Sequence, residues 1–404
     1  MTGTADLFLF LAVIIAASKI GGSLAARIGQ PAVFGELAMG VVLGPTVLGL
    51  QSWPVFATPV IRVTVAALAQ LGMIFLMFVA GLETDLAAMR RVGLVAVAGA
   101  AGGVILPVLA GYWVSIAFGY GFYESWFIGV VLAATSVSIT AQTLIELGQL
   151  RSQEGTAILG AAVVDDVLGL LALAVVVAMA PSGGGRTPGL PVVLVHVALF
   201  FVAVVLVGWV GVERIAHLAL RLPVREGLFA FGAVVALFFA WLAEAWGGMA
   251  AITGSYVAGV LFSLTTHRHQ LEERFHAVSY GFLVPVFFIS VGLDADARAI
   301  GGGWVFGITI AVVAILTKLL GAGLGAKIGG FNWPQAWRFG VGMISRGEVA
   351  LIVANIGLGA GVIGESVFTI MVLMTLVTTL LTPVLLRFVF PGAGIPSASG
   401  RAPV

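Results

Sequence analysis

Cysteine is absent from the 404 residues, and charge is scarce: Asp, Glu, Lys and Arg together make up only 9%. Without cysteine there is no disulfide framework, no thiol nucleophile and no thiolate metal site. The net charge of +1 comes with neither a basic arm nor an acidic tail, so no nucleic-acid partner is expected. So little charge, beside 60% hydrophobic residues and a mean hydropathy of +1.15, describes a polytopic membrane protein surrounded by lipid. The first apolar run, near 7–26, has no basic segment before it and no convincing cleavage site after it. A retained helix is expected there.

Apolar runs predict thirteen transmembrane helices, at 6–27, 31–50, 61–81, 92–118, 125–148, 155–180, 190–211, 227–246, 249–265, 276–293, 304–327, 334–359 and 363–389. The basic residues test this count. Odd-numbered loops hold Arg27, Arg90, Arg91, Arg151, Arg214, Arg221, Arg225, Arg268, Arg274, Lys327 and Arg338, and the tail holds Arg387 and Arg401. The other side holds Arg62, Arg186 and Arg298, so the bias is thirteen against three. Positive residues stay inside, which places the N-terminus outside and the C-terminus in the cytoplasm. Lys19, Lys318 and Arg346 fall within spans.

Internal similarity divides the chain. Phe78–Asp85 (FVAGLETD) resembles Ile289–Asp296 (ISVGLDAD) at an offset of 211 residues, which also carries span four onto eleven and five onto twelve. The same offset pairs Gly129 with Gly340 and Thr135-Ser136 with Arg346-Gly347, while Ala38–Leu43 matches Val257–Phe262 at a slightly larger one. Copies separated by seven helices must be inverted, the arrangement of secondary transporters with a site near the midplane. Spans five and twelve are expected to break. Ala134–Ala141 (ATSVSITA) supplies hydroxyls and Gly340–Glu348 (GVGMISRGE) supplies glycines, and such irregular backbone persists only where protein or water covers it.

Chemistry breaks the symmetry. Asp165 and Asp166 stand together in the otherwise apolar run 157–174, and Lys318 lies in another, 312–321. Each ionisable group at mid-bilayer depth costs about 2.5–3.5 kcal/mol on insertion scales and by default marks an ion or proton pathway. Under the repeat, Lys318 falls opposite Pro107 and the aspartates opposite Leu376 and Val377. Adjacent helical residues point about 100° apart, so the two carboxylates are expected to divide their labour. Thr135 and Ser136 are candidate oxygen donors for a hard cation. Arg346 and Glu348, two residues apart at the expected break, are placed to balance half-helix ends.

Five segments together resemble a family: Gly160–Gly169 (GAAVVDDVLG), Gly81–Thr84 (GLET), Ala134–Ser138 (ATSVS), Lys318 in its span, and Ser345–Leu351 (SRGEVAL). They are similar to the monovalent cation/proton antiporters, and most to the NapA-type sodium/proton branch, over spans two to thirteen. The resemblance implies an all-α fold of thirteen transmembrane helices with inverted repeats and two broken crossing helices. It implies that Asp166 carries sodium or a proton, and that Asp165, a second sodium ligand, pairs with Lys318 when sodium is absent. No cofactor is implied; the cargo is Na+ or Li+, or K+ in a variant, against H+. The implied assembly is a homodimer in the inner membrane of a prokaryote, with an electrogenic, elevator-like cycle.

The corresponding division is a panel at 1–91 and 227–297, a core at 92–181 and 298–390, a linker helix at 190–222 and a tail at 391–404. No nucleotide-binding regulatory domain is expected in this chain, which argues against a ligand-gated potassium efflux system. An intramembrane aspartyl protease would need two carboxylates facing one another across a cleft, and adjacent positions on one helix diverge. An organic-anion symporter of related fold would not need Lys318 opposite two aspartates. Gly321–Ala326 (GAGLGA) follows no soluble strand and is expected to serve packing rather than dinucleotide binding. Glu36 is expected at a dimer-side or funnel position, and His267, His269 and His276 on a solvated loop.

Overall fold

In hydrocarbon every backbone N–H and C=O must be satisfied within the chain, and a helix does this locally. The computed structural model describes residues 2–179, 190–210, 226–293 and 303–390, and among them only helices and their connections occur. In order these are α1 (Thr2–Arg27), α2 (Ala32–Leu43), α3 (Pro59–Glu83), α4 (Leu86–Arg91), α5 (Gly93–Ala117), α6 (Phe122–Ala133), α7 (Val137–Glu146) and α8 (Gln153–Met179). Then come α9 (Leu190–Val210), α10 (Gly227–Ala245), α11 (Ala251–Ser263), α12 (Arg268–Val278), α13 (Val284–Leu293), α14 (Trp304–Ile328), α15 (Trp333–Gly342), α16 (Glu348–Gly359) and α17 (Glu365–Val389). The tail at 391–404, the second part of the linker helix expected at 190–222, and Arg186, Arg214, Arg221, Arg225 and Arg298 lie outside the described residues.

Nine segments among the described residues are long and apolar enough to cross a membrane: α1, α3, α5, the α6–α7 pair, α8, α10, the run from α12 through α13, α14 and α17. Apolar stretches in α2, α9, α11 and α16 are shorter. Two elements differ from the sequence expectation. The span expected at 31–50 stops as a helix at Leu43, because Gly44 precedes Pro45 and adopts an extended ψ of 178°. The span expected from 276 begins at Arg268, and its middle turn, Ser279–Leu283, is π-helical. Lys19 Nζ donates to the Tyr280 carbonyl of that turn at 2.9 Å.

Spans five and twelve break where the hydroxyls and glycines predicted, between α6 and α7 and between α15 and α16. The repeat is visible as recurring close approaches. A methyl at Gly81 of α3 would stand 2.2 Å from the Tyr256 carbonyl oxygen of α11, and one at Gly259 of α11 would stand 2.2 Å from that of Phe78. Their counterparts make the same crossing: a methyl at Gly40 of α2 would meet the Ile289 oxygen of α13 at 2.4 Å. Each half thus lends one helix to the other, as a two-fold relation requires. Gly129 and Gly340 repeat the pattern within the halves, with methyls 2.4 Å from the oxygens of Val108 and Leu319, again 211 residues apart. Gly321 likewise lies against the Gly102 backbone, so the glycine-rich end of α14 packs on α5.

These approaches leave no room for a side chain. Gly81→Val is expected to destabilise the protein by about 1–3 kcal/mol, as overpacking does. Gly93→Ala, where nothing lies within 4 Å of the added methyl, serves as the tolerated control. Thermal unfolding of both variants in detergent checks the difference.

Candidate cation-binding site

The broken helices meet back to back. Ser136 N, at the start of α7, donates to the Ser345 carbonyl at 2.8 Å, and Thr140 Oγ1 donates to the Gly342 carbonyl at 2.8 Å. Gly347 is required here, since a methyl would sit 2.6 Å from Ser136 Oγ. The last carbonyls of a helix have no intrahelical donor and carry the negative end of its dipole. At the end of α6 two cations supply the donors. Arg346 reaches Leu132 O through Nε at 3.0 Å and Nη2 at 2.5 Å, and Lys318 Nζ reaches Ala133 O at 2.6 Å.

Arg346 is fully buried and also donates to Ile344 O at 2.6 Å and Ala314 O at 2.9 Å. Thr379 donates to the Arg346 carbonyl. The Arg346 guanidinium therefore holds backbone oxygens at the end of α6, in the middle of α14 and in its own break. Glu348 opens α16, but its side chain lies outside the described residues.

Asp165 and Asp166 lie on α8 and diverge as helical geometry requires. Asp165 is 2% exposed and accepts from Lys318 Nζ at 2.8 Å, and the lysine is wholly buried. Such a pair is stable only while both members are present, because removing one leaves an unpaired charge in a low-dielectric interior. Asp166 turns toward α11 and accepts a hydrogen bond from Thr253 Oγ1. It is half-buried, and with Asp165 and Thr135 it lines a cavity of about 230 Å³. Apolar walls come from α16, at Ile352, Val353 and Ile356, and the cavity extends to Glu244 and Gly248 at the α10–α11 turn.

Structure separates the two hydroxyls that sequence treated together. Thr135 faces the cavity beside both aspartates, whereas Ser136 is consumed by the crossing, with its Oγ 3.1 Å from Ser138 Oγ. Glu36 lies elsewhere, buried on α2 and 4.0 Å from Lys19. Thr253 is the site residue that sequence reasoning missed. Its only signal was a hydroxyl in the first turn of α11, just after Gly247-Gly248. Among the described residues no three carboxylates or imidazoles converge as a resident metal centre would need.

At the opposite end of α7, polar contacts join it to other helices. Glu146, at the end of α7, accepts from the first backbone amides of α2, Ala32 N at 2.5 Å and Val33 N at 3.3 Å. Arg151, between α7 and α8, lies 3.9 Å from Glu83 of α3 and 3.4 Å from Glu272 of α12.

Residues 10–391 match the family of transmembrane sodium/hydrogen exchangers. The chain is 37% identical to the Na(+)/H(+)-K(+) antiporter GerN of Bacillus cereus, covering 95% of this chain and 96% of that one. It is 34% identical to a Na(+)/H(+) antiporter of Enterococcus hirae, covering 94% and 96%. The solved structure of the sodium proton antiporter MjNhaP1 from Methanocaldococcus jannaschii superposes with a TM-score of 0.67 at 14% identity, over 96% of this chain and 97% of that one, which supports the fold. With broken crossing helices, a buried lysine–aspartate pair and a match along nearly its whole length, the chain belongs to the sodium/hydrogen exchanger family.

Proposed function

We propose that the chain is a secondary transporter exchanging sodium or lithium for protons, with Asp166 as the carrier. The observation that carries this reading is the unequal standing of two adjacent carboxylates that line one cavity: Asp165 is 2% exposed and locked to Lys318, while Asp166 is half-buried and held from α11. A carboxylate that borders water can take a cation or a proton in turn, and Thr135 adds an oxygen donor of the kind hard cations prefer. Potassium is a second cargo, favoured by the 37% identity to a relative named for both sodium and potassium.

Sequence charge bias assigns the Glu244 end of the cavity to the outside and the Glu146–Arg151 end to the cytoplasm. The arrangement then corresponds to an outward-facing state, sealed inside by the contacts of Glu146 and Arg151. Both link the half-helix unit to α2, α3 and α12. Those contacts run between the core at 92–181 and 298–390 and the panel at 1–91 and 227–297. Such a division suits an elevator-like cycle of a homodimer in a prokaryotic inner membrane, with the N-terminus outside.

The test is purified full-length protein in proteoliposomes, with an interior pH dye and pulses of external sodium, lithium or potassium. Sodium is expected to drive protons out of the vesicles in a saturable manner. Absence of cation-dependent proton movement for all three ions would overturn the proposal.

A further inference from the structure

A threonine inside a helix ordinarily returns its hydroxyl to the carbonyl one turn back. Thr84, Thr143, Thr309, Thr317 and Thr382 all do this here, bonding Ala80, Ile139, Val305, Val313 and Thr378. Thr253 stands in the first turn of α11, where the residue four positions back, Met249, lies outside the helix, and its hydroxyl reaches another element instead. It is 4% exposed and spends its donor on Asp166 of α8.

We infer that Thr253 is a positioning residue that tethers the empty, charged Asp166 to the panel and thereby keeps the unloaded core from crossing. This rests on the exchange reading above, with α8 in the moving core and α11 in the stationary panel.

The chemistry of a hydroxyl against a carboxylate sets the direction. A hydrogen bond to an ionised acceptor is roughly twice as strong as one to a neutral acceptor. The N-terminus of α11, whose residues Ala250, Ala251 and Ile252 line the same cavity, adds the positive end of a helix dipole facing a negative charge. Both attractions weaken when Asp166 is protonated or neutralised by a cation. The tether therefore grips the one form of the carrier that an exchanger must not move, and releases the two loaded forms.

Other charges around the carboxylate do not supply this link to α11. Asp165 and Lys318 are paired on α8 and α14, Arg346 holds backbone oxygens, and Glu244 across the cavity repels the charged form. α16 contributes apolar side chains to the wall, and α3 contributes Gln70 and apolar neighbours.

The test compares wild type with Thr253→Val, which keeps the shape and removes the donor, and Thr253→Ser, which restores it. Proteoliposomes loaded with radioactive sodium are diluted into either sodium-free or sodium-containing medium. The pH is equal on both sides, and a protonophore holds the potential at zero. Net efflux into sodium-free medium needs the sodium-free core to return, whereas counterflow into sodium does not. The ratio of efflux to counterflow is read as pH is raised.

For wild type this ratio is expected to fall at alkaline pH, where protons for the return are scarce. Thr253→Val is expected to keep it several-fold higher, and Thr253→Ser to follow wild type. A valine variant that tracks wild type would overturn the tether, as would a serine variant that behaves like valine. Thr253→Ala guards against a folding defect specific to valine. Loss of counterflow in both, with serine active, would also overturn the tether, by making the hydroxyl necessary for carrying the ion. Failure of the exchange reading is distinguishable, since wild type itself would then show no counterflow.

Discussion

Asp166→Asn is expected to reduce sodium-driven proton movement to the background of empty vesicles, while the protein remains folded. An amide cannot titrate, so it cannot exchange a proton for a cation. Its neutral oxygen also gives a hard cation no compensating charge. The fold has little reason to suffer. Asp166 is half-buried at a cavity, and the amide oxygen of asparagine still accepts the Thr253 hydroxyl. The buried Asp165–Lys318 pair is untouched by the change. Loss of transport with an unshifted thermal midpoint therefore separates the carrier from the scaffold. Retention of pH-dependent exchange near wild-type levels would show that the proton and cation are carried elsewhere, with Asp165 the next candidate.

Residues whose presence in hydrocarbon demands an explanation were legible in the sequence. Asp165, Asp166 and Lys318 could be singled out because ionised groups are expensive at that depth, and a 100° turn already implied that the carboxylates serve different partners. Both helix breaks were legible too, through hydroxyls at Thr135 to Ser138 and glycines at Gly340 and Gly347. Arg346 was expected to balance helix ends, and in the structure its guanidinium bonds Leu132 O and Ile344 O.

Roles set by tertiary direction were not legible. A threonine in an apolar helix normally serves its own backbone, so nothing in α11 marked Thr253 as a partner of α8. Thr135 and Ser136 differ only in which side of an irregular segment each side chain leaves. Arg151 counted only as a loop charge, and nothing marked Glu146, until α2, α3 and α12 are brought beside them. The early end of α2 was available locally, in Gly44-Pro45, but was outweighed by the apolar residues that follow.

Lys318→Gln is expected to remove the voltage dependence of exchange, or exchange itself, and to destabilise the protein. If Asp166 and Lys318 both carry protons in the sodium-free state, one sodium exchanges for two protons and one net charge crosses per cycle. A potential of 100 mV then contributes about 2.3 kcal/mol to each turnover. The lysine is well placed for such a part, since sodium arriving beside the aspartates competes directly for Asp165 at 2.8 Å from Nζ. Glutamine cannot titrate, so the second proton is lost and any remaining exchange moves no net charge. Stability falls for a separate reason. Asp165, 2% exposed, is left without its counter-ion, and breaking a buried pair from one side costs about 3–5 kcal/mol. Ala133 O, at the negative end of α6, loses its charged donor as well. Sodium-driven proton flux under valinomycin-set potentials, alongside thermal unfolding in detergent, reads both effects. Wild-type flux indifferent to the potential would refute the two-proton scheme and leave Lys318 as a structural counter-charge, in which case the variant loses stability and its residual exchange keeps the wild-type voltage response.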